Sequence, residues 1–198
     1  MQYKIDKKKI AEDNCKRIQA GNILIASPGS FGIDSPFINS IIYILDTEDG
    51  ASGIIINKQS TLTIAEAIPE LSYNEPLFFG GNNQVKNVSY MHKMDIEDSV
   101  PIKDGLKWGG DYEQITDLLN YHKISPKDLF FHAGHVTWLP NQLQEEVMEG
   151  KWFCQNFKSK SLFSIYKKLE SDQLWGIEMS KAGYRQNSMF SNFKIGLN

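Results

Sequence analysis

Short apolar runs recur along this chain at spacings too small for long helices. NILIA (22–26), SIIYIL (40–45) and SGIIIN (52–57) are rich in β-branched residues and carry no polar alternation. Such runs predict strands buried on both faces. The acidic turn DTEDGA between the last two predicts a hairpin. PLFFGG (76–81) and NVSYMHK (87–93) predict two more strands across a Gly-Gly-Asn-Asn turn. SVPIKDG (99–105) predicts a further one, held to a sheet edge by Pro101.

Helical periodicity appears between them. TLTIAEAIPEL (61–71) predicts a short helix capped by Thr63 and Glu66 and stopped by Pro69. In GGDYEQITDLLNYHKI (109–124), Asp111 is a natural N-cap with Gln114 three residues on. Tyr112, Ile115, Leu118 and Leu119 form one apolar face. DLFFHAG (128–134) returns to strand, NQLQEEVMEG (141–150) predicts a helix ending at Gly150, and KWFCQNF (151–157) a last strand. Two closing helices are expected over 161–169 and 171–183. The irregular alternation, with at least one hairpin, predicts an α+β fold: a single compact domain with a large mixed β-sheet flanked by helices. Residues 1–20 read as a polar, loosely attached lead-in, and 21–198 as the domain.

Bulk properties narrow the partners. The 198 residues suffice for one buried core, and the net charge of −3 provides no electrostatic footprint for nucleic acid. The longest apolar run is far short of the ~20 residues that span a bilayer, and the N-terminal sequence has no apolar secretory core. No membrane association is expected and the expected address is the cytoplasm. Cys15 and Cys154 are too few and too far apart in sequence to indicate a disulfide framework or a zinc ribbon.

Candidate chemistry is sparse. His132 and His135 in HAGH would chelate a metal together on a helix, but LFFHAGHV favours strand, whose period of two sends them to opposite faces. Neither a G-x-S-x-G elbow nor a phosphate-binding glycine motif occurs, and Asp111 places a carboxylate on the amides that follow Gly109-Gly110. No catalytic residue, metal site or cofactor is therefore assigned. Polar or glycine positions at strand ends, namely Asn57, Gly80, Gly81 and His92, are the places where a ligand or partner surface would form. They serve equally well as side-chain-to-backbone anchors. Trp138 and Gln142, at a strand-to-helix corner, join this set.

Ordered blocks across roughly residues 21–183 resemble the YqgE/AlgH family of bacterial proteins. Ala26 and Pro28 carry the first block, continued by Asp34, Phe37 and Ser40. Gly50, Gly53 and Asn57 carry a hairpin, and Gly80, Gly81 and His92 the third block. Gly134, Trp138, Pro140, Gln142, Leu143 and Glu146 carry the fourth, with Trp152 and Trp175 downstream. Departures are Asn39 for the usual arginine, Asn82-Asn83 for Pro-Val, Thr137 and Asn141 for glycines, Leu139 for serine and His135 for tyrosine. The resemblance implies a compact α+β domain and no particular reaction. Family members are commonly described as transcriptional regulators, yet no helix-turn-helix or basic recognition helix is present here.

The expected function is a non-catalytic cytoplasmic binding or regulatory domain, with any effect on transcription exerted through an unknown protein or small-molecule partner. The alternative expectation is an enzyme or small-ligand receptor with a pocket near Asn57, Gly80, Gly81 and His92, His92 being its only plausible general base.

Overall fold

The computed structural model describes residues 7–164 and 170–183. Its centre is a curled sheet of ten strands. Along its main path the order is β10-β1-β2-β3-β9-β6-β8-β7, with β5 joining β9 and carrying β4. The strands are β1 (Ile23–Ala26), β2 (Ile41–Asp46), β3 (Ala51–Ile55), β4 (Gln59–Thr63), β5 (Pro76–Phe79), β6 (Asn83–His92), β7 (Val100–Lys103), β8 (Leu106–Trp108), β9 (Phe130–Trp138) and β10 (Trp152–Gln155). All pairings are antiparallel except β5 with β9, so the sheet is mixed through one pair.

The continuous apolar runs are explained by burial on both sides. In β1, Ile23 and Ile25 enter a cluster inside the curl, while Leu24 and Ala26 enter a second cluster on the outer face. β2 divides likewise, Ile41 and Tyr43 inward, Ile42 and Ile44 outward. A third cluster covers the outer face of the other half, with Ile64, Leu77, Tyr90, Ile115, Leu119 and Phe131. The curl nearly closes: Lys103 of edge strand β7 donates from Nζ to Asn22 Oδ1 beside β1, at 3.0 Å.

The helices cover these faces. They are α1 (Lys7–Cys15), α2 (Ile64–Ala67), α3 (Tyr112–Asn120), α4 (Gln142–Met148), α5 (Lys160–Ser164) and α6 (Ser171–Lys181). The caps expected on α2 and α3 are present: Thr63 and Glu66 form a reciprocal capping box, and Gln114 N donates to Asp111 Oδ1 at 2.6 Å. Residues 165–169 of the expected penultimate helix lie outside the described residues.

Three features depart from the sequence reading. First, residues 7–15 are a helix docked on the domain, with Asn14 buried and Cys15 and Ile18 packed against the outer cluster. Second, β4, a polar strand, and β8, three residues long, are announced by no apolar run. Third, the 76–81 and 83–92 strands do not pair with each other. β9 lies between them, parallel to β5 on one side and antiparallel to β6 on the other.

β9 also changes face midway. Phe130 points into the curl, whereas Val136 and Trp138, of the same parity, enter the outer cluster. Gly134, with φ of 72°, inserts the irregularity that reverses the alternation. The period-two separation of His132 and His135 therefore fails: the reversal brings His135 back to the side of His132.

Candidate functional site

The expected site residues occupy several separate places. Trp138 and Gln142 meet at the corner where β9 passes into α4. Trp138 is buried, and its Nε1 donates to Glu146 Oε2 at 3.0 Å. Trp152 Nε1 donates to the same oxygen at 2.8 Å, and Gln142 Nε2 donates to Glu146 Oε1 at 3.2 Å. Gln142 Oε1 in turn accepts from Leu139 N at 2.9 Å. This last bond anchors the corner where Asn141, in the left-handed region at φ 68°, makes no side-chain cap. The two indoles pack edge to face at 6.2 Å, and Phe31 and Phe37 lie against Trp152.

Asn57 is buried at the far end of β3. Its Oδ1 accepts from Ile41 N at 2.8 Å, and its Nδ2 donates to Asn39 O at 2.9 Å and Ser171 Oγ at 3.0 Å. One side chain thus ties β2, the loop before it and the start of α6. Asn39 donates from Nδ2 to Asp172 Oδ1 at 3.1 Å. Neighbouring Lys58 donates to Pro36 O at 2.9 Å, and burial holds its ammonium below the usual lysine range.

Gly80 and Gly81 mark a backbone crossing over β9. Gly80 N donates to Ala133 O at 2.8 Å, while Gly80 O accepts from Ile55 N at 2.7 Å. A Cβ at Gly80 would overlap the Gly134 carbonyl, and one at Gly81 the carbonyl of His135. Both positions require glycine for close approach. Beside them His132 is fully buried. Its Nδ1 lies 3.0 Å from Gly134 O, Nε2 has no hydrogen-bond partner among the described residues, and burial pushes the imidazole down to about 4.

His92 is fully buried at the end of β6. Nδ1 accepts from Met94 N at 3.2 Å, which assigns the proton to Nε2, 2.8 Å from Gly109 O. Burial lowers its pKa despite these bonds. Among the described residues no group of three or more His, Cys, Asp or Glu could hold a metal ion.

None of the six residues lines either of two cavities formed by the described residues. A hollow of about 260 Å³ sits between α2, β5 and β9, walled by Ile64, Pro76, Phe78 and Phe131 with Gln59 and Glu75 among its lining. A larger groove of about 990 Å³ follows β10 from Trp152 to Asn156. Its walls are α1 and the turn after it (Ile10, Asp13, Arg17), the end of α4 (Val147, Met148), and the end of α6 with the residues just after it (Lys181, Gly183), with Ser27 and Pro28 at one end. α1 packs on the outer face and α6 on the inner, so the groove runs over the sheet's edge. Among the described residues, β10 has one strand partner, β1.

The groove's charges are mixed. Lys16 beside Asp13, at 3.0 Å, holds that carboxyl below its usual range. Lys181 reaches Glu178 at 2.7 Å, whose other oxygen accepts from Gln155 at 2.7 Å. Ile10 and Met148 are apolar at its rim, 44% and 45% exposed. Sequence reading passed over this wall because α1 is so polar. The available signal was Ala11, Cys15 and Ile18, recurring at helical spacing.

An α+β domain built on a curled sheet, with a carboxylate joining two indoles at a strand-to-helix corner, defines the class. The sequence profile of the AlgH-like family matches residues 23–187, and the chain belongs to that family. It is 30% identical over 176 residues to a UPF0301 protein of Chlorobaculum parvum, covering 87% of this chain and 91% of that one. A UPF0301 protein of Cytophaga hutchinsonii is 32% identical over 148 residues, 72% of this chain and 80% of the relative. The solution structure of AlgH from Pseudomonas aeruginosa superposes with a TM-score of 0.66 at 18% identity, covering 88% of this chain and 94% of that one. A crystal structure of a Corynebacterium diphtheriae protein gives 0.63 at 21%, covering 82% and 86%. These likenesses bear out the family and the fold. No helix among the described residues is long and apolar enough to cross a membrane.

Proposed function

We propose that this protein is a non-catalytic cytoplasmic binding domain that receives an extended segment of a partner protein along the edge of β10. One observation carries the reading: the groove of about 990 Å³ runs over a sheet edge between helices on opposite faces. Main-chain hydrogen bonds to an edge strand supply affinity for an extended chain, and flanking pockets select its alternate side chains. Ile10 and Met148 offer apolar contact at the rim, while Asp13, Arg17 and Lys181 contribute both signs of charge.

Any influence on transcription then passes through the partner. The net charge of −3 supports this route over direct reading of DNA. A photo-crosslinking residue at Ile10 or Met148, introduced in the producing organism, is expected to capture a discrete partner. The same residue at Tyr121, exposed on the end of α3, is expected to capture none. Equal capture from both places, or tight sequence-specific DNA binding at physiological salt, would overturn the proposal.

A further inference from the structure

The chain leaves α6 inside the groove. α6 runs beside β10 in the same direction: Trp175 Nε1 donates to Ala26 O at 2.8 Å, and Ala26 pairs with Trp152 at the head of β10. Further along the helix, Glu178 Oε2 accepts from Gln155 Nε2, at the other end of the strand, at 2.7 Å. Gly183 then follows the helix in the left-handed region at φ 83°, its N donating to Ser180 O at 3.1 Å. A glycine so placed turns the chain off the helix axis. Lys181, Ala182 and Gly183 all line the groove. The edge of β10 beside them has a defined polarity. Ser27 N donates to Lys151 O at 2.9 Å, and the register continues with Ile25 opposite Phe153 and Ile23 opposite Gln155. Bonded and non-bonded pairs alternate in an antiparallel ladder. Lys151, Phe153 and Gln155 therefore turn their backbone groups to β1, and Trp152 and Cys154 turn theirs to the groove.

We propose that residues 184–198, YRQNSMFSNFKIGLN, which lie outside the described residues, return along this groove and pair as an intramolecular strand with the edge of β10. Residues 193–198 alternate strictly, with Phe193, Ile195 and Leu197 apolar against Lys194, Gly196 and Asn198. That is the pattern of a half-buried strand. Residues 184–192 reach roughly 30 Å when extended, more than the roughly 14 Å of the four-residue β10. The whole edge is therefore within reach of Phe193 from its own Gly183. Ile10 and Met148, part-exposed at the rim, offer the apolar side of such a strand a surface, and its main chain offers Trp152 and Cys154 partners. A short edge strand opens often, so it slows exchange several-fold and leaves room for deeper protection by a tightly held partner. On the function proposed above, the partner segment must displace this strand. That consequence rests on the partner reading, whereas the strand itself does not.

The test reads residue-resolved amide exchange by NMR on the full chain and on full-chain Ile195→Asp, with no partner present. The expected result is several-fold faster exchange at Trp152 and Cys154 in the variant, with Phe153 and Gln155, held by β1, unchanged. A tandem variant, Lys194→Pro with Ile195→Pro, removes donors of both parities from the strand and should give the same pattern. Unaltered exchange at Trp152 and Cys154 in either variant would overturn the proposal. Equal acceleration of all four amides would do so too, because it reports general loosening, as would protection that grows with protein concentration, the mark of a strand from a second copy. Photo-crosslinked capture at Met148 is expected to rise several-fold in Ile195→Asp. Exchange that responds while capture does not would uphold the strand and reject the partner reading.

Discussion

Trp138 and Trp152 share a single hydrogen-bond acceptor, Glu146 Oε2, at 3.0 and 2.8 Å. The carboxylate joins the end of β9 to the start of β10 through α4, fixing the corner beside the groove. Replacing it leaves two largely buried indole donors short of an acceptor. Glu146→Ala is expected to destabilise the fold by about 2–4 kcal/mol, given ~1–3 for each unsatisfied buried group. Urea unfolding measures this, and Trp138→Phe in the same background should cost less than it does alone. Full additivity would show that the shared acceptor has no energetic role.

Asn57 should prove similarly sensitive. Asn57→Ala strips the acceptor from Ile41 N and the donor from Asn39 O and Ser171 Oγ. A loss of about 2–3 kcal/mol is expected from these buried bonds, with faster amide exchange at Ile41. Unchanged exchange there would contradict the anchoring role.

Gly134→Ala tests the face reversal in β9. The residue sits at φ 72°, and an added Cβ would come close to the Gly81 and Asn83 carbonyl oxygens. Strain and overlap together should cost about 3 kcal/mol or more. A thermal midpoint within a degree or two of the parent would show that the strand tolerates ordinary alternation.

Acid should weaken the fold through His132. Burial lowers its folded pKa to about 4, against the 6.5 of an ordinary histidine. The unfolded chain then binds more protons between those values. This stability is fully present above pH ~6.5 and is lost as pH falls towards 4, amounting to about 3 kcal/mol. His92, also lowered by burial, adds in the same direction. His132→Gln should flatten the pH dependence of urea midpoints between 4 and 6.5, and an unchanged slope would contradict it.

Much of the sheet is legible in the sequence because burial on both faces leaves apolar runs without alternation, as in β1, β2 and β3. The caps at Thr63 and Asp111 are legible because they rest on local spacing. What escapes is non-local. Nothing in PLFFGGNNQV announces that β9 lies between β5 and β6, because that placement is set by backbone approach at Gly80 and Gly81. The polar strand β4 and the three-residue strand β8 derive their structure from pairing partners. The α1 wall of the groove is obscured because Lys8 and Lys9 face solvent and only a narrow stripe packs. At the corner the sequence singles out Trp138 and Gln142, and the structure joins them through Glu146 and places the groove one strand away.

The central claim is that a partner segment pairs with the edge of β10. Amide hydrogen exchange on the isolated complex with the crosslink-identified partner tests it most directly. The account predicts slowed exchange in β10 and in the groove-facing part of α1, with β7 at the opposite edge unchanged. A bound partner that leaves β10 exchange untouched and protects another face would contradict it.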